Sequence, residues 1–162
     1  MKIGLLSDTH GYLDPKVEEF FAACDEVWHC GDVGSGQVLN RLASRFRLRA
    51  VYGNIDDGEL RMRLSGITLF TCEGVKVLMT HIGGYPNHYE PHIREIILRE
   101  SPRLFVCGHS HILKVMYDKE LQCLHINPGA IGRFGFHKKR TAVRFVIEGE
   151  NIKDLEILEL EA

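Results

Sequence analysis

Residues 2–10 read KIGLLSDTH, an apolar run that stops on Ser7 and then delivers an aspartate and a histidine two positions apart, Asp8 and His10. A short apolar run of this kind is the pattern of a buried strand. Four further runs end the same way: EVWHC (26–30) before Gly31 and Asp32, RAVY (49–52) before Gly53 and Asn54, KVLMT (76–80) before His81, and RLFVC (103–107) before Gly108, His109, Ser110 and His111. Any one of these residues would suit a helix cap, a turn or a hydrogen-bonded core position. All five endings together would require a separate accident at each strand. They imply instead one polar site along the edge of a buried sheet, because ligands of open α/β sheets gather outside the carboxyl ends of the strands.

The donors are imidazoles, carboxylates and one amide, a nitrogen and oxygen set suited to Mn, Fe, Zn, Ni or Co rather than to a thiolate site. A paired metal centre is the leading expectation. In an extended chain residues i and i+2 point the same way, so Asp8 with His10, and His109 with His111, are each expected to present two ligands to one place. Gly31, Gly53 and Gly108 each directly precede a proposed ligand, where the chain must turn sharply and approach an ion or phosphate closely.

Working outward, Asp14 and Pro15 supply an N-cap and a first-turn proline for a helix through KVEEFFAAC, followed by a strand at 26–30, a helix near 36–46 and a strand at 48–52. This β-α-β-α-β half builds a parallel or mostly parallel sheet. Afterwards the chain changes character. ITLFTCEG and VKVLMTH form a hairpin signal around Glu73-Gly74, PHIREIILRE is an amphipathic helix, and RLFVCGH is a strand. VMYDKELQCLHIN and TAVRFVIEGENIKDLEILEL are hairpins turning near 118–120 and 149–150. The expectation is a single α/β domain over 1–162, two sheets packed as a sandwich with outer helices.

A length of 162 residues with 44% hydrophobic and 26% charged residues is soluble-globular, and a formal net charge of −2 gives no general attraction to nucleic acid or to an anionic membrane. The basic run FHKKRT (136–141) reads as a solvated loop. MKIGLLSDTH lacks a signal-peptide core, and five cysteines without C-x-x-C spacing fit a reducing compartment, so a cytoplasmic location is expected. Cys30, Cys107 and Trp28 are expected in the core, His29 and His125 as packed, hydrogen-bonded histidines, and His88 and His92 on the rim or the surface.

The motifs D-x-H (Asp8, His10), G-D (Gly31, Asp32), G-N-x-D (Gly53 to Asp56), a lone histidine (His81) and G-H-x-H (Gly108 to His111) occur in an order that resembles the calcineurin-like metallophosphoesterases. The resemblance covers nearly the whole chain and is to their small single-domain phosphodiesterase branch of bacteria and archaea. It implies a four-layer α/β/β/α sandwich of two mixed sheets flanked by helices. It also implies one metal on Asp8, His10, Asp32 and His111 and a second on Asp32, Asn54, His81 and His109, with Asp32 bridging. The activity so implied is hydrolysis of a small phosphodiester by a hydroxide between two divalent ions, Mn foremost, with Ni, Co, Fe or Zn as alternatives. Asp32, Asn54, His81 and His109 would act through metal and phosphate. A phosphomonoesterase or nucleotidase is the alternative enzyme. A protein-binding scaffold is the alternative of another class, since the retromer complex contains a subunit of this fold. No nucleic-acid or membrane partner is indicated, and a homo-oligomer is left open.

Two departures from the family pattern stand out. Where relatives often carry a histidine after G-N, this chain has Ile55, which neither donates a proton nor binds an oxyanion; Asp56 then reads as a turn or supporting residue. The late loop is Asn127-Pro128-Gly129 followed by Ala130, where serine is common. Candidates to replace the missing histidine lie in Gly132–Lys138: Arg133 as a phosphate contact and His137 as an acid, against the competing reading of an exposed loop without a role.

Overall fold

A computed structural model describes residues 1–162. The strands are β1 (Lys2–Leu6), β2 (Glu26–His29), β3 (Arg47–Ala50), β4 (Ile67–Cys72), β5 (Val75–Thr80), β6 (Leu104–Val106), β7 (Leu113–Asp118), β8 (Cys123–Pro128), β9 (Lys139–Glu148) and β10 (Asn151–Glu161). The helices are α1 (Pro15–Phe20), α2 (Gly36–Arg45), α3 (Gly58–Arg63) and α4 (Pro91–Glu100). The strands form two five-stranded sheets, in the orders β10-β9-β1-β2-β3 and β4-β5-β6-β8-β7. In the first sheet β1, β2 and β3 pair in parallel and β9 and β10 join antiparallel; in the second β5, β6 and β8 pair in parallel between antiparallel edges β4 and β7, so both sheets are mixed.

Three apolar clusters separate four layers. Between the sheets lie Ile3, Leu5, Trp28, Val77, Met79, Val106, Val143 and Phe145. Val17, Phe21, Val38, Leu39 and Leu42 press α1 and α2 onto the outer face of the first sheet. Ile93, Ile96 and Ile97 of α4 cover Leu78 and Phe105 of the second. Alternation along the strands dictates the division: Leu5 of β1 enters the cluster between the sheets, while its neighbour Leu6 meets the helices. The helices begin where their caps permit. The Asp14 carboxylate accepts the Lys16 N–H, Ser35 Oγ that of Gln37 and Glu90 that of Ile93. The stack is the expected α/β/β/α sandwich.

Two placements differ from the local reading. The last hairpin does not extend the second sheet. Instead β9 runs antiparallel to β1, with Leu5 opposite Val143, because its inward residues complete the cluster between the sheets, a long-range gain that local periodicity does not encode. Helix α3 was not anticipated; it is six residues long with only Leu60 buried, too short to display a helical period. No helix is long and apolar enough to cross a membrane.

Candidate metal centre

All five ligand-bearing segments leave carboxyl ends of parallel-paired strands, β1, β2 and β3 from one sheet and β5 and β6 from the other. The loops are laced together by main-chain bonds. Asp8 N–H donates to the Gly31 carbonyl, His10 N–H to that of Asp32, Gly108 N–H to that of His81, and Gly132 N–H to that of Asp8.

The structure brings the expected residues into two groups, Asp8 with His10 and His111, and Asp32 with His81 and His109. Asp32 stands between them, its Oδ2 3.5 Å from His10 Nε2 and 3.2 Å from His81 Nε2. Asp8 Oδ1 lies 3.2 Å from His111 Nε2 and 3.8 Å from the Nε2 atoms of His10 and His81. Asn54 joins through His109, with Oδ1 3.1 Å from the ring Nδ1.

The way the pairs converge differs from expectation. Asp8, His10, Asp32, His109 and His111 have φ of 56°, 47°, 54°, 71° and 64°, all in the left-handed region. A pleated chain therefore does not aim them, and His109 and His111 serve different groups rather than one place. Non-glycine residues in this region are strained by about 1–3 kcal/mol each unless the surroundings hold them there, and such strain collects at functional sites. The surrounding loops explain two glycines. Gly31 has φ of +99°, and a Cβ on it would lie 2.7 Å from His81 Nδ1; a Cβ on Gly53 would overlap the Asp32 carboxylate.

Supporting residues fix the charged atoms. The Ser7 hydroxyl donates to Asp8 Oδ2 at 2.6 Å and the His109 N–H to the same oxygen at 3.2 Å, which leaves Oδ1 facing inward. Ile55 N–H donates to Asp32 Oδ1 at 3.0 Å. Asp56, almost fully buried, accepts the N–H groups of Val33, Gly34 and Gly53 and so joins the loops after β2 and β3. Gly31 N–H donates to His29 Nδ1, which places the His29 proton on Nε2 facing Thr9 Oγ1, whose hydroxyl donates to the Val33 carbonyl. His81 Nδ1–H donates to the Cys30 carbonyl at 2.7 Å, directing the Nε2 lone pair inward.

Charge follows geometry. Burial would push the Asp8 carboxyl up, but the surrounding His10, His111 and His81 imidazoles and the Ser7 hydrogen bond outweigh it and hold the group well below the usual carboxylate range. Asp32 is likewise lowered against its burial by His81 and the Ile55 N–H. His81 is raised, its burial outweighed by Asp32 and Asp8. Burial pushes His29 down to about 4.

A cation fits this donor set on one observation above all. Asp8 Oδ1, His10 Nε2 and His81 Nε2 are buried without hydrogen-bond partners, although buried polar atoms in proteins are as a rule paired, and all three lie around the same space.

The rim contains residues the sequence reading singled out and others it missed. Arg133 Nη2–H donates to the Tyr12 hydroxyl at 2.8 Å, with the guanidinium 3.7 Å from that ring's centroid. His137 packs edge-on to His111, centroids 5.1 Å apart, and Nε2–H donates to the Gly132 carbonyl. Phe134 stacks on His10 at 5.3 Å. Tyr12 and Phe134 were missed, as was Ser7; proximity to the D-x-H motif was the only signal for Tyr12 and Ser7. Ile55 is exposed, His88 lines a neighbouring cleft, and His92 is exposed on α4. Trp28, Cys30 and Cys107 are in the core, and all five cysteines are free. His125 is buried as expected, but its Nδ1 has no partner.

Comparison with known proteins agrees with this architecture. Residues 1–150 match the family model described as the calcineurin-like phosphoesterase superfamily domain. A probable metallophosphoesterase of Methanocaldococcus jannaschii is 28% identical over 136 residues, 80% of this chain and 68% of that one. Among solved structures, an archaeal phosphodiesterase superposes with a TM-score of 0.79 at 24% identity, covering 99% of this chain and 100% of that one. Vps29 from Entamoeba histolytica superposes at 0.76 with 13% identity over 99% and 100% of the two chains. At these identities the structural likenesses speak for the fold alone.

Proposed function

The chain belongs to the calcineurin-like phosphoesterase superfamily, and on that premise we propose that it is a metal-dependent phosphodiesterase with a two-ion centre. Asp8, His10, Asp32 and His111 would hold one divalent ion and Asp32, Asn54, His81 and His109 the other, with Asp32 shared. Manganese heads the candidates, followed by Ni, Co, Fe and Zn. When bound, such a pair supplies Lewis acidity that activates water near neutral pH and neutralises charge on the phosphate oxygens.

The chain's own groups do the rest. Asp32 presents one oxygen toward both ligand groups while Ile55 N–H holds the other. His81 keeps its proton on Nδ1, so Nε2 remains a donor atom. Arg133, on the rim, pairs with a phosphate oxygen by its guanidinium fork. His137, packed on His111 with Nε2–H given to the Gly132 carbonyl and Nδ1 buried without a partner, is the side chain nearest to hand to protonate the leaving oxygen. The observation that carries the reading is the convergence of three orphaned buried donor atoms beside Asp32.

The test combines metal analysis with a panel of phosphodiesters and phosphomonoesters. Wild type should bind two equivalents of Mn²⁺ and favour diesters, and Asp32→Asn should lose both binding and turnover. A single equivalent, or full activity of metal-stripped Asp32→Asn, overturns the mechanism; preference for monoesters moves the assignment to a phosphomonoesterase.

A further inference from the structure

Beside the two ligand groups lies a cleft of about 280 Å³ that the chemistry above leaves unused. It opens from His109 and Gly108 and runs between the chain after β5 and the start of β7. Ile82, Tyr85 and Ile112 give it apolar walls, with glycine backbone at 83–84 between them. A mostly apolar cleft with a few placed polar groups is the usual form of a small-molecule site, and this volume lies just under the usual range of about 300–1,000 Å³.

The polar groups narrow the occupant. The Lys114 ammonium sits 4.2 Å from the Tyr85 ring centroid, and the His88 ring lies 4.8 Å from Tyr85 at 41°. Ser110 Oγ accepts the N–H of Ile112 and the side-chain amide of Asn127, so its own O–H proton points to neither and is available to a ligand. At the cleft wall His125 is almost fully buried with an unpartnered Nδ1; burial, then the charge of Lys114, brings its pKa down to about 4, so the ring is neutral.

Glu90 and Lys114 both line the cleft, one acidic and one basic residue, so its lining carries no net charge to select an anionic occupant. A plain alkyl group would strip water from Lys114 and Ser110 without replacing its hydrogen bonds, which is costly. A heteroaromatic ring meets both demands: its π face attracts the ammonium and packs on Tyr85 and His88, while its ring and sugar heteroatoms reach the Ser110 hydroxyl.

We propose that this cleft binds the alcohol retained on phosphorus, and that this alcohol carries a heteroaromatic ring, making the substrate a small nucleoside-type phosphodiester. The proposal rests on the phosphodiesterase reading above. It assigns the retained rather than the leaving alcohol because His137, the proton source in that reading, packs against His111, whereas the cleft opens at His109.

The test compares two diesters with the same leaving group, thymidine 5′-(p-nitrophenyl phosphate) and methyl p-nitrophenyl phosphate, on Mn²⁺-loaded wild type, Lys114→Met and Tyr85→Leu. Wild type should favour the thymidine ester in kcat/KM by about tenfold, the scale of one ring contact. Both variants should lose that preference through KM while turning over the methyl ester as wild type does. No preference in wild type, or an equal decline on both esters, overturns the proposal with the phosphodiesterase reading intact. Metal-free protein titrated with thymidine gives a readout independent of turnover: the backbone amides of Gly83, Gly84 and Ser110 should shift in NMR spectra of wild type and not of Lys114→Met. If neither ester is cleaved, the phosphodiesterase reading has failed, and the absence of those shifts overturns the cleft assignment on its own.

Discussion

The Ser7 hydroxyl and the Asp8 carboxylate, joined at 2.6 Å between Oγ and Oδ2, decide which way the aspartate faces. With Oδ2 held by Ser7 and by the His109 N–H, only Oδ1 remains for His10, His81 and His111. Ser7→Ala should therefore weaken Mn²⁺ binding by about 10- to 100-fold, the usual effect of losing a group that orients a ligand. It should also cost the metal-free fold about 2 kcal/mol for a lost charge-assisted bond. Calorimetric metal titration and urea unfolding check both; unchanged affinity would show that Ser7 does not orient the ligand.

Asp56 plays the corresponding part for the neighbouring loops. Its carboxylate accepts three main-chain N–H groups, and an amide would turn a donor toward at least one of them. Asp56→Asn should destabilise the protein by about 2–3 kcal/mol and reduce metal occupancy, and Asp56→Ala should do more. Thermal melts with metal analysis test this, and an Asn variant as stable as wild type would count against it.

The architecture and the seven candidate ligands were legible because strand ends are written locally: an apolar run, a glycine, a donor. The support for those ligands was less so. Asp56 sits inside a recognisable motif, but its service to Val33 and Gly34, 23 and 22 residues away, is a property of the folded loops. The left-handed backbone at Asp8, His10 and Asp32 has no local signature either, since aspartate and histidine occupy many conformations. Placement of β9 beside β1 depends on which sheet offers an unfilled edge, and that is decided only by packing.

Histidine burial sets a pH profile for the metal-free protein. His29 and His125 have folded pKa values of about 4, below the unfolded 6.5. Between pH 6.5 and 4 the unfolded chain therefore binds more protons, and stability falls as pH falls, by about 3 kcal/mol for each histidine over the window. His81 acts with the opposite sign. Its pKa is raised, so its contribution is complete below 6.5 and is lost as pH rises through the folded value. Stability should peak near pH 6.5 and decline on both sides. Urea unfolding from pH 4.5 to 8.5 reads this directly, and His125→Phe should lower the acid slope by about one proton. An acid limb indifferent to both histidines would refute the assignment.

Metal choice follows from the donors. Four imidazoles among seven proposed ligands suit Mn²⁺ better than Mg²⁺, which prefers an oxygen-rich octahedron and keeps its water. Stripped protein should bind Mn²⁺ at least tenfold more tightly than Mg²⁺ in competition titrations. Equal affinities would argue against the histidine-rich assignment.

The last prediction concerns departure of the leaving oxygen. Ile55 stands exposed where a histidine would offer a proton, its N–H already given to Asp32. His137 is the nearby alternative, packed on His111. A positioned acid is worth about 10²–10⁴-fold, so rates over a series of esters of differing leaving-group pKa separate the two cases. If His137 donates, wild type gives a shallow dependence that becomes steep in His137→Ala, with nitrophenyl esters almost unaffected and alkyl esters slowed most. If departure is unaided, wild type is already steep, His137→Ala changes nothing, and Ile55→His flattens the series by placing an imidazole beside Asp32. A shallow series that neither substitution alters would mean that a step other than bond cleavage limits the rate, and would remove His137 from the mechanism.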